Sequence, residues 1–172
     1  MQKRVRRIGT APGDPITLGN FAENLQKKKK MCNFAAESTK NTAMKREKAI
    51  DEARRYVENA RETLREKGEY NAELNRYEDE KYVRAAGNYL WLGVLMALDS
   101  VFHVREDRRT RVDIKDYRDA VGKRDRKLLA LVNDGYEVMH LYMNYDGNQQ
   151  KGVCDNGFSL ANTIIDRCAA MA

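Results

Sequence analysis

The chain has 172 residues, 34% of them charged, and a formal net charge of +6 at pH 7. Residues 1–44 hold nine basic and three acidic side chains, so the whole excess lies there and the remainder is formally neutral. This division argues against a uniformly basic nucleic-acid-binding domain. The three cysteines (Cys32, Cys154 and Cys168) have no disulfide-framework or zinc spacing, which favours a cytoplasmic protein.

Composition predicts two regions: a disordered basic tail over residues 1–43 and a helical-bundle domain over residues 44–172. The tail mixes Gly, Pro, Lys and Asn with few large apolar groups, and residues 16–26 are a candidate short helix within it. It has no apolar segment of the kind that secretory signals carry. Met31 and Met44 are candidate alternative translation starts, and a start at Met44 would leave the tail out of the natural protein.

The absence of proline after Pro15 predicts long helices. The first helix is predicted over residues 42–67, with Thr42 as its N-cap and Gly68 just beyond its end. Apolar residues repeat along it at steps of three and four, which places them on one face. They are Ile50, Ala53, Val57, Ala60 and Leu64.

The second predicted helix, from residue 77 or 78 to residue 102, is apolar on all sides. Such a helix is surrounded by its own protein or by lipid. Because Asn88 and Asp99 interrupt it and its flanks are amphipathic, the sequence favours a buried central helix over a membrane span.

Three further helices complete the predicted fold. A short one follows an N-cap at Asp113 and reaches Val121, a fourth covers residues 124–143, and a fifth covers residues 151–169. Turn-forming residues 144–148 separate the last two. The prediction is therefore an all-α fold, a four- to five-helix up-and-down bundle with a disordered basic N-terminal tail.

Polar residues near the ends of apolar helices form a candidate ligand or partner pocket. An alternative interpretation is that they cap helices and fix loops, with the Asp99 carboxylate paired to a Tyr or Arg. The pocket candidates are Asp99, His140, Asn144, Tyr145 and Asp146.

Two basic groups are candidate nucleic-acid contacts, because arginine and lysine bind phosphate. The alternative interpretation is a solvated connector and a soluble tail, since acidic residues lie among the arginines and no aromatic side chains interleave the lysines. The candidates are Arg105, Arg108, Arg109 and Arg111, with Lys27, Lys28, Lys29 and Lys30. No metal-binding or catalytic motif is found, so no cofactor is predicted.

Three segments, residues 82–102, 136–147 and 153–168, resemble helices of the HEPN superfamily of helical bundles. More narrowly, residues 81–83, 94–99 and 145–147 are similar to an uncharacterised bacterial family, a domain of unknown function, over roughly residues 45–170. HEPN ribonucleases pair an Arg with a His at a short spacing. Neither His103 nor His140 has an Arg at that spacing before it, so the resemblance does not extend to nuclease chemistry.

The sequence thus predicts a non-catalytic binding or interaction module in the cytoplasm, with no membrane association. Apolar surface on the second and fourth helices, together with the resemblance, predicts a homodimer. The alternatives are a HEPN-type RNA-processing enzyme and a nucleic-acid-binding accessory protein.

Overall fold

A computed structural model describes residues 18–105 and 111–171, with side chains at Glu37 and from residue 40 onward. Contacts divide the chain into two units, residues 1–40 and residues 41–172. The predicted all-α fold is confirmed. Its helices are α1 (Leu18–Lys67), α2 (Glu80–Phe102), α3 (Ile114–Gly122), α4 (Arg126–Gly135), a π-helical segment (Tyr136–Tyr145) and α5 (Lys151–Ala169).

Helix α1 begins earlier than predicted. Its first residue is Leu18, so Thr42 lies inside the helix and the predicted N-cap there is wrong. The physical reason is composition: no proline follows Pro15, and Ala, Lys, Glu and Met are strong helix formers. The C-terminal prediction is confirmed, because α1 ends at Lys67 and the Gly68 N–H donates to the Leu64 carbonyl at 3.0 Å. Disorder over residues 1–43 stays a prediction, and residues 1–17 lie outside the described residues.

Helix α2 is the centre of the bundle, as its apolar composition predicted. Among the described residues it is the one helix long and apolar enough to cross a membrane. Ten of its residues are nevertheless buried against other helices, mainly α5 and the π-helical segment. At Gly93 an added Cβ would lie 2.9 Å from the Ala53 carbonyl oxygen of α1, so the two helices approach at that point.

The apolar stripe predicted on α1 is buried at all five positions. Helix α1 also contacts α5 through polar side chains. The Arg54 guanidinium lies 3.2 Å from the Asp166 carboxylate, and the Arg61 guanidinium lies over the Phe158 ring at 5.0 Å. Helix α1 therefore packs against both α2 and α5.

The predicted fourth helix is two elements. Helix α4 starts after Asp125, whose carboxylate accepts from the N–H groups of Lys127 and Leu128, and ends at Gly135. Ten residues of π-helix follow, and the Asp146 N–H donates to the Leu141 carbonyl at 2.8 Å in the i→i−5 pattern. Short π-helices are rare and frequently accompany functional sites.

The remaining connections are short. Asp113 caps α3 as predicted, in a reciprocal capping box with Asp116. Strands β1 (Tyr70–Asn71) and β2 (Arg76–Tyr77), which the sequence did not predict, pair antiparallel between α1 and α2 with Tyr70 opposite Tyr77. Arg76 also pairs with Gln150, so this hairpin contacts the start of α5.

Candidate functional site

Two clefts open beside the C-terminal half of α2, and Arg105 lines both of them. Their volumes, about 530 and 550 Å³, lie in the range of small-molecule sites. The α1–α2 cleft is lined by residues that include Lys45, Arg46, Ala49, Tyr56, Leu92, Met96 and Asp99. The aromatic–basic cleft is lined by residues that include Trp91, Leu95, Arg111, Tyr117, Tyr136 and His140.

Arg105 is held at the border of the two clefts by two partners. Its Nε lies 2.9 Å from an Asp99 carboxylate oxygen and donates to the Tyr117 hydroxyl oxygen at 3.0 Å. The Tyr117 hydroxyl in turn donates to the same Asp99 oxygen at 2.9 Å. Burial, and next the Asp99 charge, raise the pKa of Tyr117, so this hydroxyl stays a neutral donor at pH 7.

The wall of the aromatic–basic cleft consists of three rings in mutual contact. The Tyr136 ring lies 5.5 Å from the Trp91 ring in an edge-on arrangement and 5.0 Å from the His140 ring. The Trp91 and His140 rings are 6.0 Å apart. The Arg118 guanidinium lies over the Tyr136 ring at 5.1 Å, a cation–π contact that fixes this ring.

His140 is a neutral member of this wall at pH 7. Burial lowers the pKa of its imidazole, because removing water disfavours the charged form. Its Nδ1 is buried and has no hydrogen-bond partner among the described residues. The positive charge of the cleft therefore comes from Arg105 and Arg111, while the His140 ring offers an aromatic face and a basic nitrogen.

The five predicted pocket residues do not share one site. Asp99 and His140 line neighbouring clefts, and the other three lie at the end of the π-helical segment. There Arg84 donates to the main-chain carbonyls of Asn144, at 3.1 Å, and Tyr145. The Asp146 N–H closes the last turn, and the Tyr145 side chain is 73% exposed. Their described contacts are those of a helix end.

The predicted nucleic-acid contacts also do not lie in one place. Arg105 and Arg111 line the aromatic–basic cleft. Arg108 and Arg109 lie outside the described residues, as do the side chains of Lys27, Lys28, Lys29 and Lys30, whose backbone belongs to α1. Within the described chain, no group of three or more His, Cys, Asp or Glu side chains could hold a metal ion.

Sequence reasoning missed three residues of the site: Trp91, Tyr117 and Tyr136. Trp91 and Tyr136 have the helical spacing of core residues, and Tyr117 belongs to a short helix without a recognisable motif. One signal was present in the sequence. Tyr136 and His140 are four positions apart, and on a helix such residues are neighbours on one face.

The fold and the clefts define an all-α helical-bundle protein with an open, partly aromatic and basic site. The chain belongs to the family described as Domain of unknown function (DUF5618), whose model matches residues 48–170. It is similar to the solved structure of a protein of unknown function from Dyadobacter fermentans, with 36% sequence identity and a TM-score of 0.67. The match covers 73% of this chain and 98% of that one. No curated protein matches the chain.

These matches confirm the prediction of an uncharacterised family over roughly residues 45–170. Neither match names the HEPN superfamily, so that broader resemblance stays a prediction.

Proposed function

We propose that the bundle is a non-catalytic binding module for single-stranded nucleic acid and that the aromatic–basic cleft is its site. One observation carries the proposal: the rings of Trp91, Tyr136 and His140 line the same cleft as Arg105 and Arg111. Bases stack on aromatic side chains, at about 1–3 kcal/mol per base, and arginine forms charge-assisted hydrogen bonds to phosphate.

The charge distribution supports a local site. Outside residues 1–44 the chain has equal numbers of basic and acidic residues, so the bundle as a whole has no attractive field for a polyanion. Affinity at the cleft therefore depends on stacking and on two arginines. For two phosphate contacts on a single strand, the slope of log K against log salt concentration is roughly −1.4.

The test is fluorescence anisotropy of a short labelled single-stranded RNA with the full chain. Arg111→Gln removes one phosphate contact and keeps a long polar side chain, so we expect roughly tenfold weaker binding. Lys115→Gln is the matched control, because Lys115 is an exposed cation in the first turn of α3 that does not line the cleft. Equal affinity in Arg111→Gln and wild type contradicts the proposal, since binding then resides elsewhere, for example in residues 1–44.

An RNA-processing enzyme is the second candidate, favoured by the presence of His140 in the same cleft as two arginines. A neutral imidazole can accept the proton of an attacking hydroxyl while arginines hold the phosphate. The test is cleavage of the same RNA on a denaturing gel by wild type and His140→Gln. Cleavage that is lost in His140→Gln supports the enzyme, and intact RNA with wild type contradicts it.

Homodimer formation and a cytoplasmic location without membrane association are further proposals. Much of the apolar surface that motivated the dimer is buried within the bundle, and the large apolar side chains that remain exposed among the described residues include Tyr70, Leu74, Tyr142 and Tyr145. Light scattering that gives the monomer mass at tens of micromolar contradicts the dimer.

A further inference from the structure

The α1–α2 cleft differs in chemistry from the aromatic–basic cleft. It contains no stack of rings, and three apolar side chains form one part of its lining: Ala49 from α1 and Leu92 and Met96 from α2. Tyr56 lies at its side, with its ring tilted against that of Tyr89 at 6.3 Å. A cavity of about 530 Å³ with this lining suits a flexible apolar body better than a planar base.

Two cations of α1 lie beside this aliphatic lining. Lys45 and Arg46 of α1 both line the cleft, and neither forms an ion pair within the described part of the chain. The Arg46 Nε is buried and lacks a hydrogen-bond acceptor among the described residues. A buried donor without an acceptor is unfavourable, so an acceptor supplied by a ligand would be bound strongly there.

The carboxylate that lines the cleft does not cancel this charge. An Asp99 oxygen already forms an ion pair with Arg105 and accepts from the Tyr117 hydroxyl at the border with the other cleft. Lys45 and Arg46 therefore leave the cleft with an excess of positive charge next to an apolar wall.

From this geometry we infer that the α1–α2 cleft binds a small organic anion with an apolar chain, a medium-chain carboxylate being the simplest member of the class. The carboxylate accepts from Arg46 and Lys45, and the alkyl chain lies along Ala49, Leu92 and Met96. The site is distinct from that of the proposed nucleic-acid function and does not depend on it.

The experiment is isothermal titration calorimetry of the full chain with sodium octanoate. Acetate, which lacks the chain, and octanol, which lacks the charge, are the ligand controls. We expect octanoate to bind with at least about tenfold higher affinity than either control, since the site needs both parts. Equal binding of octanol and octanoate, or no binding of octanoate, overturns the inference.

Variants locate the site. The double variant Lys45→Gln with Arg46→Gln removes both charges on α1, and we expect at least about tenfold weaker octanoate binding. Lys48→Gln is the matched control, because Lys48 is an exposed cation of the same helix that does not line the cleft. Ala49→Phe fills the cavity, and we expect it to abolish binding.

Far-UV circular dichroism and thermal melting establish first that each variant folds, and if Ala49→Phe does not, the charge variants still decide. Octanoate binding that survives in the double variant overturns the inference. Binding that is lost in Arg111→Gln and kept in the double variant also overturns it, because the anion then occupies the aromatic–basic cleft.

Discussion

The Nε atom of Arg105 lies 2.9 Å from an Asp99 carboxylate oxygen, and this pair joins the two clefts of the bundle. Asp99 belongs to the last turn of α2, and Arg105 lies just after that helix ends at Phe102. The Asp99 side chain is 20% exposed and that of Arg105 is 56% exposed, so the carboxylate is the less exposed partner. The contact therefore sets where the arginine charge lies.

Replacing Asp99 tests the structural value of this pair. Asp99→Asn keeps the shape and an acceptor for Tyr117 but removes the charge that holds Arg105. We expect a loss of about 1.5–3 kcal/mol in the free energy of unfolding, the range for a hydrogen bond to a charged group. The measurement is urea unfolding followed by circular dichroism.

Asp155→Asn is the control for that measurement, because Asp155 pairs with Lys151 on the exposed face of α5. Exposed i,i+4 pairs contribute little, so its unfolding midpoint should stay at the wild-type value. An Asp99→Asn midpoint equal to that of Asp155→Asn contradicts the role assigned to Asp99.

We expect the Tyr117 hydroxyl to make the folded protein less stable in alkali. Its pKa is raised above the ordinary value of 10.0 by burial, so the folded protein holds this proton more tightly than the unfolded chain. The resulting stabilisation is complete below pH 10 and is lost as the pH rises toward the folded-state pKa. We expect Tyr117→Phe to flatten the decline of the melting temperature above pH 10, and parallel profiles for the two proteins would contradict this.

We expect the Asp125 carboxylate to make the folded protein less stable in acid. Its carboxylate accepts from the Arg167 guanidinium at 2.7 Å and from two backbone N–H groups of α4, and these contacts lower its pKa from 3.8 to about 2. This stabilisation is present above pH 3.8 and disappears as the pH falls toward 2. In Asp125→Asn, the melting temperature should start lower at pH 7 and fall less between pH 4 and 2. If the melting temperature of Asp125→Asn fell with the wild-type slope between pH 4 and 2, Asp125 would not be the source of the acid sensitivity.

Gly87 and Gly152 form a matched pair for helix packing. At Gly87 an added Cβ would lie 2.6 Å from the Met143 Cβ and 2.7 Å from the Met139 carbonyl oxygen, whereas at Gly152 nothing lies within 4 Å. We expect Gly87→Ala to destabilise the bundle by about 1–3 kcal/mol through overpacking. Gly152→Ala should stabilise it by about 0.5–1 kcal/mol through helix propensity. Urea unfolding measures both, and a stabilised Gly87→Ala would show that α2 and the π-helical segment are not in close contact.

The sequence predicted the helices well where periodicity and capping act locally. Three features could be predicted because each depends on residues within a few positions of one another. They are the apolar stripe from Ile50 to Leu64, the N-cap at Asp113 and the extent of α5. The start of α1 was predicted wrongly because Thr42 satisfies a capping pattern that the helix does not use, although the residues before it are good helix formers. The π-helical segment was also missed, because its apolar pattern is close enough to the α-helical period to be taken for one.

The candidate site could be predicted only in part from the sequence, for a different reason. Asp99 and His140 were predicted as pocket residues near helix ends, and Arg105 and Arg111 as phosphate contacts; each of the four lines one or both clefts. Their grouping depends on how α2, α3 and the π-helical segment pack, which residue spacing does not determine. Trp91 and Tyr136 have the spacing of core residues, and only the packed helices show that these rings also line a cleft.

Trp91 offers the most direct test of the proposed function, since it is the only tryptophan in the chain and its ring lines the aromatic–basic cleft. We would titrate the full chain with single-stranded RNA and follow tryptophan emission beside the anisotropy of a labelled strand. The account predicts quenching that saturates together with binding, is weakened in Arg111→Gln and is unchanged in Lys115→Gln. Binding detected by anisotropy with constant Trp91 emission would contradict it, because the strand would then lie away from the cleft.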